Sequence, residues 1–382
     1  MQNNEKKQEI EYSNSYEEIL FEIGNENYIK ALRKADRLIH NIEDEKEKIK
    51  LYILQGNIYM YIGMIEKNDK YLENAVLEYK KVLFSNTIAS NTQIITAKSC
   101  IGISYLSIDN KIYYKEMKQT IKDLKKENNI LKENLMGQMY LGIYYVEEFF
   151  KDFEISDLEN ALSNYEMALK IEKSFSTENI VENNLYIILQ EKLANLYLKY
   201  AINNIIDDNL MLYLEKSIYI YNNLLDFYEP EKNKYNYYKC LKEQGRCYVF
   251  LKDENKNLRT AYLTKAYNNM KTVLYFDDKE LDDLILGCYL FVPYCNVNNS
   301  DINMLFSRYN RLLKTSLISS DENTIRETKF NMLCCSYFWW IKSASKKYYK
   351  IGKHLLKEIK NKYYDFYNSA QKQLINDIEN NL

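Results

Sequence analysis

The side chains that most often carry catalysis are scarce in this chain of 382 residues. Its histidines, His40 and His354, are too few for a histidine-based triad or metal centre. No glycine-rich phosphate loop of the form G-x-x-x-x-G-K-[ST] or G-x-G-x-x-G occurs, and neither does the G-x-S-x-G elbow of hydrolases. No pair of carboxylates is singled out by its spacing. We therefore expect a non-enzyme with no catalytic residues and no cofactor.

Cysteines are the next candidates for chemistry, and the chain has 7. Cys240 and Cys247 lie seven residues apart, as do Cys288 and Cys295, on segments with helical periodicity. Seven residues of α-helix rise by about 10.5 Å, so one such pair cannot reach a single zinc ion at about 2.3 Å. An odd number of cysteines without a framework of loops is consistent with reduced thiols in a cytosol. We expect thiols that pack the core and no metal site.

A stripe of lysines near the C-terminus is the most marked charge feature. Its members step by 4, 4, 3, 4 and 3 residues, which predicts one face of a single helix opposed nearby by Glu358: Lys342, Lys346, Lys350, Lys353, Lys357 and Lys360. Two interpretations stay open. The stripe is either a solvated face or a docking surface for an acidic protein or another polyanion.

The overall charge gives no sign of nucleic-acid or membrane binding, because 52 basic and 54 acidic residues leave a net charge of −2. Tyrosines beside lysines at 235–239 and 347–350 would suit base stacking. Tyrosine recurs along the whole chain, however, so nucleic acid is disfavoured as a partner. No apolar run is long enough to span a bilayer, and no apolar signal segment opens the sequence. We expect a cytoplasmic location without membrane insertion.

The elements that position these residues are predicted to be helices, because turn-forming residues are rare. The chain has 9 glycines and 2 prolines, where average usage gives roughly 27 and 19. Long helices with short links follow, and β-sandwiches, barrels and glycine-rich α/β enzymes are disfavoured. Apolar residues at 46% and charged residues at 28% are typical of a folded protein.

Two helical patterns alternate along the chain. Helix A carries a small residue with a large apolar residue three positions later, and the small residues are Gly56, Gly102, Gly142, Ala194, Gly245, Gly287 and Cys334. Helix B places a large residue four positions after a small one and ends in an apolar pair, as in Ala75, Tyr79, Val82, Leu83 and in Ala161, Tyr165, Ala168, Leu169. We expect the small residues to let two helices approach while a tyrosine fills the adjoining gap.

This alternation resembles the tetratricopeptide repeat over about residues 15–360. Intervals of 46, 40, 52, 51, 42 and 47 between the small residues exceed the family's period, which is about 34, so we expect longer helices. The resemblance implies an all-α, right-handed α-solenoid of about eight helix pairs. Its parts would be a flexible polar arm at 1–14, the solenoid at 15–362 and a C-terminal capping helix at 363–382. Ser15-x-x-Glu18 predicts the start of the first helix.

The resemblance also implies that the concave face, lined by helix A, binds a protein or peptide partner. The family's positions one after the small residue, and three and six before it, correspond in this sequence to Asn57, Glu191, Asn195, Lys239, Lys242 and Arg246. Asparagine can bind a peptide backbone, and the basic cluster can bind a carboxylate. The leading hypothesis is a non-catalytic scaffold or adaptor subunit. The alternative is an intracellular, bacterial-type peptide-sensing regulator that controls a partner protein and has no DNA-binding domain of its own.

Overall fold

The computed structural model describes residues 2–25, 27–66, 68–108, 114–126, 128–152, 155–172, 180–203, 210–251, 255–276 and 278–382. This part of the chain is helical and contains no β-strand. The α-helices in chain order are α1 Gln2–Gly24, α2 Tyr28–Asn41, α3 Glu45–Glu66, α4 Asp69–Phe84, α5 Asn91–Ser107, α6 Tyr114–Lys126, α7 Asn128–Lys132, α8 Leu135–Asp152, α9 Ile155–Glu172, α10 Ile180–Asn203, α11 Leu210–Phe227, α12 Lys234–Phe250, α13 Lys256–Tyr275, α14 Phe291–Tyr294, α15 Asn299–Ser319, α16 Glu322–Ser343, α17 Lys346–Lys362 and α18 Ser369–Asn381. Short 3-10 helices lie at Lys279–Ile285, Cys288–Leu290 and Tyr364–Phe366.

The chain divides into two compact units, Met1–Leu196 and Tyr197–Leu382. In the first unit, α1 packs on α2, α3 on α4, and α8 on α9, while α2–α3 and α4–α5 contacts join successive pairs. In the second, α11 packs on α12, α12 on α13, α15 on α16, and α16 on α17. Each unit is thus a stack of helix pairs, and the predicted all-α solenoid is confirmed. Among the described residues, no helix has the length and apolar character needed to cross a membrane.

The predicted fit between a small helix-A residue and a helix-B tyrosine is confirmed in two pairs. A Cβ atom added at Gly56 would lie 2.6 Å from the Tyr79 ring, and one added at Gly142 would lie 2.7 Å from the Tyr165 ring. Both tyrosine side chains are buried. Gly102 makes a closer approach, since its added Cβ would lie 2.1 Å from the ring of Tyr140 on α8. Glycine is required at these positions because any side chain would push the helices apart.

The predicted helix A around Gly287 is wrong. Gly287 adopts a left-handed conformation with a φ of 88°, between the 3-10 helices Lys279–Ile285 and Cys288–Leu290. Proline at position 293 explains part of this, because its ring would clash with the carbonyl group four residues earlier in a continuous helix. Cys288 and Cys295 consequently do not share a helix.

The start of the first helix is also corrected. Ser15 lies inside α1, which begins at Gln2, so Ser15 cannot be the N-terminal cap. The segment expected to be a flexible arm is helical from Gln2 onward, and Met1 lies outside the described residues. Its glutamate, glutamine and lysine residues favour helix, which explains the extension. At the other end, the 3-10 helix Tyr364–Phe366 precedes α18.

A buried arginine on α15 holds the irregular segment in place. Arg308 is 2% exposed. Its Nε atom donates to Asp282 Oδ1 at 2.9 Å, and Nη2 donates to the carbonyl oxygen of Leu281 at 2.8 Å. Its Nη1 atom donates to the carbonyl oxygens of Val273, at 2.7 Å, and Leu274, at 3.2 Å, in the last turn of α13. These bonds satisfy the buried carboxylate of Asp282 and carbonyl groups at the end of α13 and in the 3-10 helix Lys279–Ile285.

Candidate peptide-binding site

The structure brings three of the six predicted binding residues together on α12. Lys239, Lys242 and Arg246 are each partly buried and lie on one face of the helix, as their spacing requires. Glu243 lies among them with its side chain 8% exposed. Lys242 Nζ is 3.2 Å from Glu243 Oε1, and Arg246 Nη1 is 2.7 Å from Glu243 Oε2. The predicted basic cluster is therefore part of an ion triad. The acid of this triad, Glu243, is not among the predicted binding residues.

The two bases keep Glu243 ionised. Burial by itself would raise the pKa of Glu243, but the charges and hydrogen bonds of Arg246 and Lys242 outweigh it and lower the pKa to about 2. The triad therefore carries one net positive charge at neutral pH. Its contribution to stability is present above the ordinary pKa of 4.5 and is lost as the pH falls towards about 2.

Arg246 keeps hydrogen-bonding capacity for a ligand. Its side chain is 27% exposed. Its Nε atom is buried and has no hydrogen-bond partner in the described part of the chain. A buried N–H group without an acceptor costs free energy. An oxygen atom from outside reaches the guanidinium group through the exposed part of the side chain. The guanidinium group can thus contact both Glu243 and an additional anion.

The surroundings of α12 show this face in contact with non-helical backbone. Lys242 Nζ lies 3.5 Å from the carbonyl oxygen of Leu286. The Gly287 amide donates to Asn331 Oδ1 at 2.6 Å. Asn331 on α16 stands three residues before Cys334, which is the position that Lys242 holds relative to Gly245. Two equivalent helix-A positions therefore contact the chain's own non-helical backbone.

The other three predicted residues lie in the first unit. Asn57 on α3 is partly buried and accepts a 2.7 Å hydrogen bond from the hydroxyl group of Tyr79, so its carbonyl group already serves the helix pair. Glu191 and Asn195 lie on α10 and are partly buried. The candidate site that the geometry supports is consequently the α12 cluster, defined as Lys239, Lys242, Glu243 and Arg246.

The lysine stripe is shorter than predicted. Ala344 is left-handed, with a φ of 53°, and ends α16, so Lys342 does not share a helix with the other members. Lys342 instead donates to the carbonyl oxygen of Cys295 at 2.6 Å. Lys360 is 2.8 Å from Glu379 on α18. The members left on α17 with exposed side chains are Lys346, Lys350, Lys353 and Lys357.

The cysteines are all buried, as predicted for thiols that pack the core. Burial raises the pKa of Cys247 and of Cys295 to about 12, so both stay protonated at neutral pH. They are therefore weak nucleophiles and weak metal ligands in the folded protein.

Fold and site together define an all-α protein of stacked helix pairs with a charged cluster on α12. No family model matches the chain, and no curated protein matches it. Solved structures do match, among them the apo form of the quorum sensor NprR from B. thuringiensis. That protein is 14% identical, with a TM-score of 0.31, and the match covers 91% of this chain and 99% of NprR.

Proposed function

We propose that this chain is a non-catalytic protein of the cytoplasm that binds a peptide or protein segment at the α12 cluster. The ligand group is a carboxylate, from an acidic side chain or a free C-terminus. The observation that carries the proposal is the partly exposed guanidinium group of Arg246, whose Nε atom has no hydrogen-bond partner among the described residues, beside an ion triad with one net positive charge. A scaffold or adaptor subunit is the leading role, and a peptide-sensing regulator acting on a partner protein would use the same chemistry.

The contacts that α12 and α16 make with the chain's own backbone support a peptide as the ligand. Lys242 and Asn331 already contact a carbonyl and an amide group of Leu286 and Gly287. A peptide backbone offers the same donors and acceptors. An Arg–carboxylate contact would add the charge-assisted bond that fixes the register of that peptide.

A selection experiment tests the proposal. The full chain is used to select from a random peptide library with free C-termini, and the enriched peptides are measured by calorimetric titration. We expect acidic residues or a recurrent C-terminal residue to be enriched. The variant with Lys242→Gln, Glu243→Gln and Arg246→Gln should bind such peptides at least tenfold more weakly, which is about 1.4 kcal/mol.

The triple substitution removes three charges without leaving Glu243 buried and unpaired, as removing its bases alone would do. A matched control removes the same numbers of positive and negative charges by replacing Lys70, Glu73 and Lys80, which are exposed on the first unit, by glutamine. Equal affinity of the wild-type chain and the α12 triple variant would refute the site, as would peptides enriched without any carboxylate preference.

A further inference from the structure

The lysines that remain on α17 form a narrow row, which we call the α17 basic face: Lys346, Lys350, Lys353 and Lys357. All four side chains are exposed. At 100° and 1.5 Å per residue they lie within about 60° of arc and span about 16 Å along the helix. The four charges therefore lie in one row along the helix axis.

The described residues do not neutralise this face. Glu358, the acid on α17, is turned towards Lys329, with 2.5 Å between Lys329 Nζ and Glu358 Oε1. Lys346, Lys350 and Lys357 make no ion pair or hydrogen bond with the described residues. Lys353 Nζ lies 4.7 Å from the centre of the Tyr349 ring. Within this part of the structure the face has no acidic partner.

Helix stability does not explain the arrangement. The first turn of α17 contains no acidic residue, although the helix dipole favours acids there. Lys346 and Lys347 occupy that turn instead, where their charge is unfavourable. Lysines four apart along the face also repel one another. The like charges of this row therefore lower the stability of α17 instead of adding to it.

The rest of α17 limits the kind of partner. Leu355, Leu356 and Ile359 are buried, and no large apolar side chain of this helix is among the exposed ones in the described structure. The face therefore has nothing to insert into a lipid bilayer. Tyr348 is buried and the Tyr349 ring is covered by Lys353, so neither ring is free to stack on a base.

We propose that the α17 basic face docks an acidic helix of a partner protein. The cations step by 4, 3 and 4 residues along α17. A second helix with carboxylates at the same steps presents its charges with the same rise, so every cation meets an anion. This surface belongs to a different helix from the α12 cluster, and the proposal does not depend on the peptide site.

Two synthetic helical peptides of equal composition test the proposal by fluorescence anisotropy. Both have blocked termini; one carries glutamates in the 4-3-4 row, and the other carries them spread around the helix. At low salt we expect the row peptide to bind at least tenfold more tightly, with an affinity that falls as salt approaches about 0.1 M. Lys346→Glu with Lys350→Glu and Lys357→Glu should abolish this preference.

The control variant changes the net charge equally at exposed lysines of the first unit, through Lys70→Glu, Lys80→Glu and Lys132→Glu. It should keep the preference, as should the α12 triple variant. The proposal is overturned if both peptides bind alike or neither binds. It is also overturned if the control loses as much affinity, or if duplex DNA or phosphatidylserine vesicles bind at this face more tightly than the row peptide.

Discussion

Arg308→Ala is expected to destabilise the second unit by about 3–5 kcal/mol, because it breaks a buried ion pair from one side. The substitution leaves the buried carboxylate of Asp282 with Arg311 alone, whose Nη2 donates to Asp282 Oδ1 at 2.7 Å. It also leaves the carbonyl oxygens of Val273, Leu274 and Leu281 without this donor. The expected fall in melting temperature is roughly 10 °C, followed by circular dichroism.

Hydrogen exchange localises the effect. Amides of α13, of the 3-10 helix Lys279–Ile285 and of α15 should lose protection, because Arg308 joins these elements. Lys314→Ala, at an exposed position of the same helix, is the matched control. Arg308→Lys should recover little of the stability lost in Arg308→Ala, because one ammonium group cannot make the hydrogen bonds of the planar guanidinium group. A melting temperature of Arg308→Ala equal to that of the control would contradict the role assigned to Arg308.

Gly142→Leu is expected to destabilise the first unit by about 1–3 kcal/mol, because the leucine side chain would overlap the buried ring of Tyr165. The direction of the stability change in Gly142→Ala is the sharper test. In a helix with open space around it, this change stabilises by about 1 kcal/mol. With an added Cβ atom 2.7 Å from the Tyr165 ring, it should instead lower the melting temperature.

A double-mutant cycle separates this clash from a general effect on α8. Gly142→Ala combined with Tyr165→Leu should cost less than the sum of the two single changes, since the smaller side chain makes room for the Cβ atom. Additive losses of stability, or a Gly142→Ala variant more stable than the wild-type chain, would show that the Tyr165 ring does not restrict the residue at position 142.

The sequence predicted the helix pairs well because their signal is local. A glycine in a helical pattern and a tyrosine at a fixed position in the next helix are readable from spacing, and the structure pairs Gly56 with Tyr79 as expected. The irregular segment in place of the helix A around Gly287 was missed. Its cause is distributed over Gly287, Pro293 and the bonds that Arg308 makes from another helix, and long-range bonds of this kind leave no periodic pattern.

The binding site was predicted only in part. The spacing of Lys239, Lys242 and Arg246 placed them on one face of α12, but the charges alone did not show that Glu243 binds two of them. Lys342 was assigned to the wrong helix, because the left-handed residue Ala344 is not a glycine and gave no turn signal. Arg308 could have been noticed as an arginine in a chain whose basic residues are mostly lysine, since arginine is preferred in buried ion pairs.

The measurement that tests the central proposal most directly is the affinity of a selected acidic peptide for the Glu243→Gln variant. This change removes the one negative charge of the α12 cluster and leaves both bases in place. If the cluster binds a carboxylate, the variant should bind the peptide more tightly, by roughly fivefold or about 1 kcal/mol, while the α12 triple variant binds it more weakly. Opposite shifts in the two variants are what the proposal predicts. An affinity that falls or stays unchanged in Glu243→Gln, with the fold intact by circular dichroism, would contradict it.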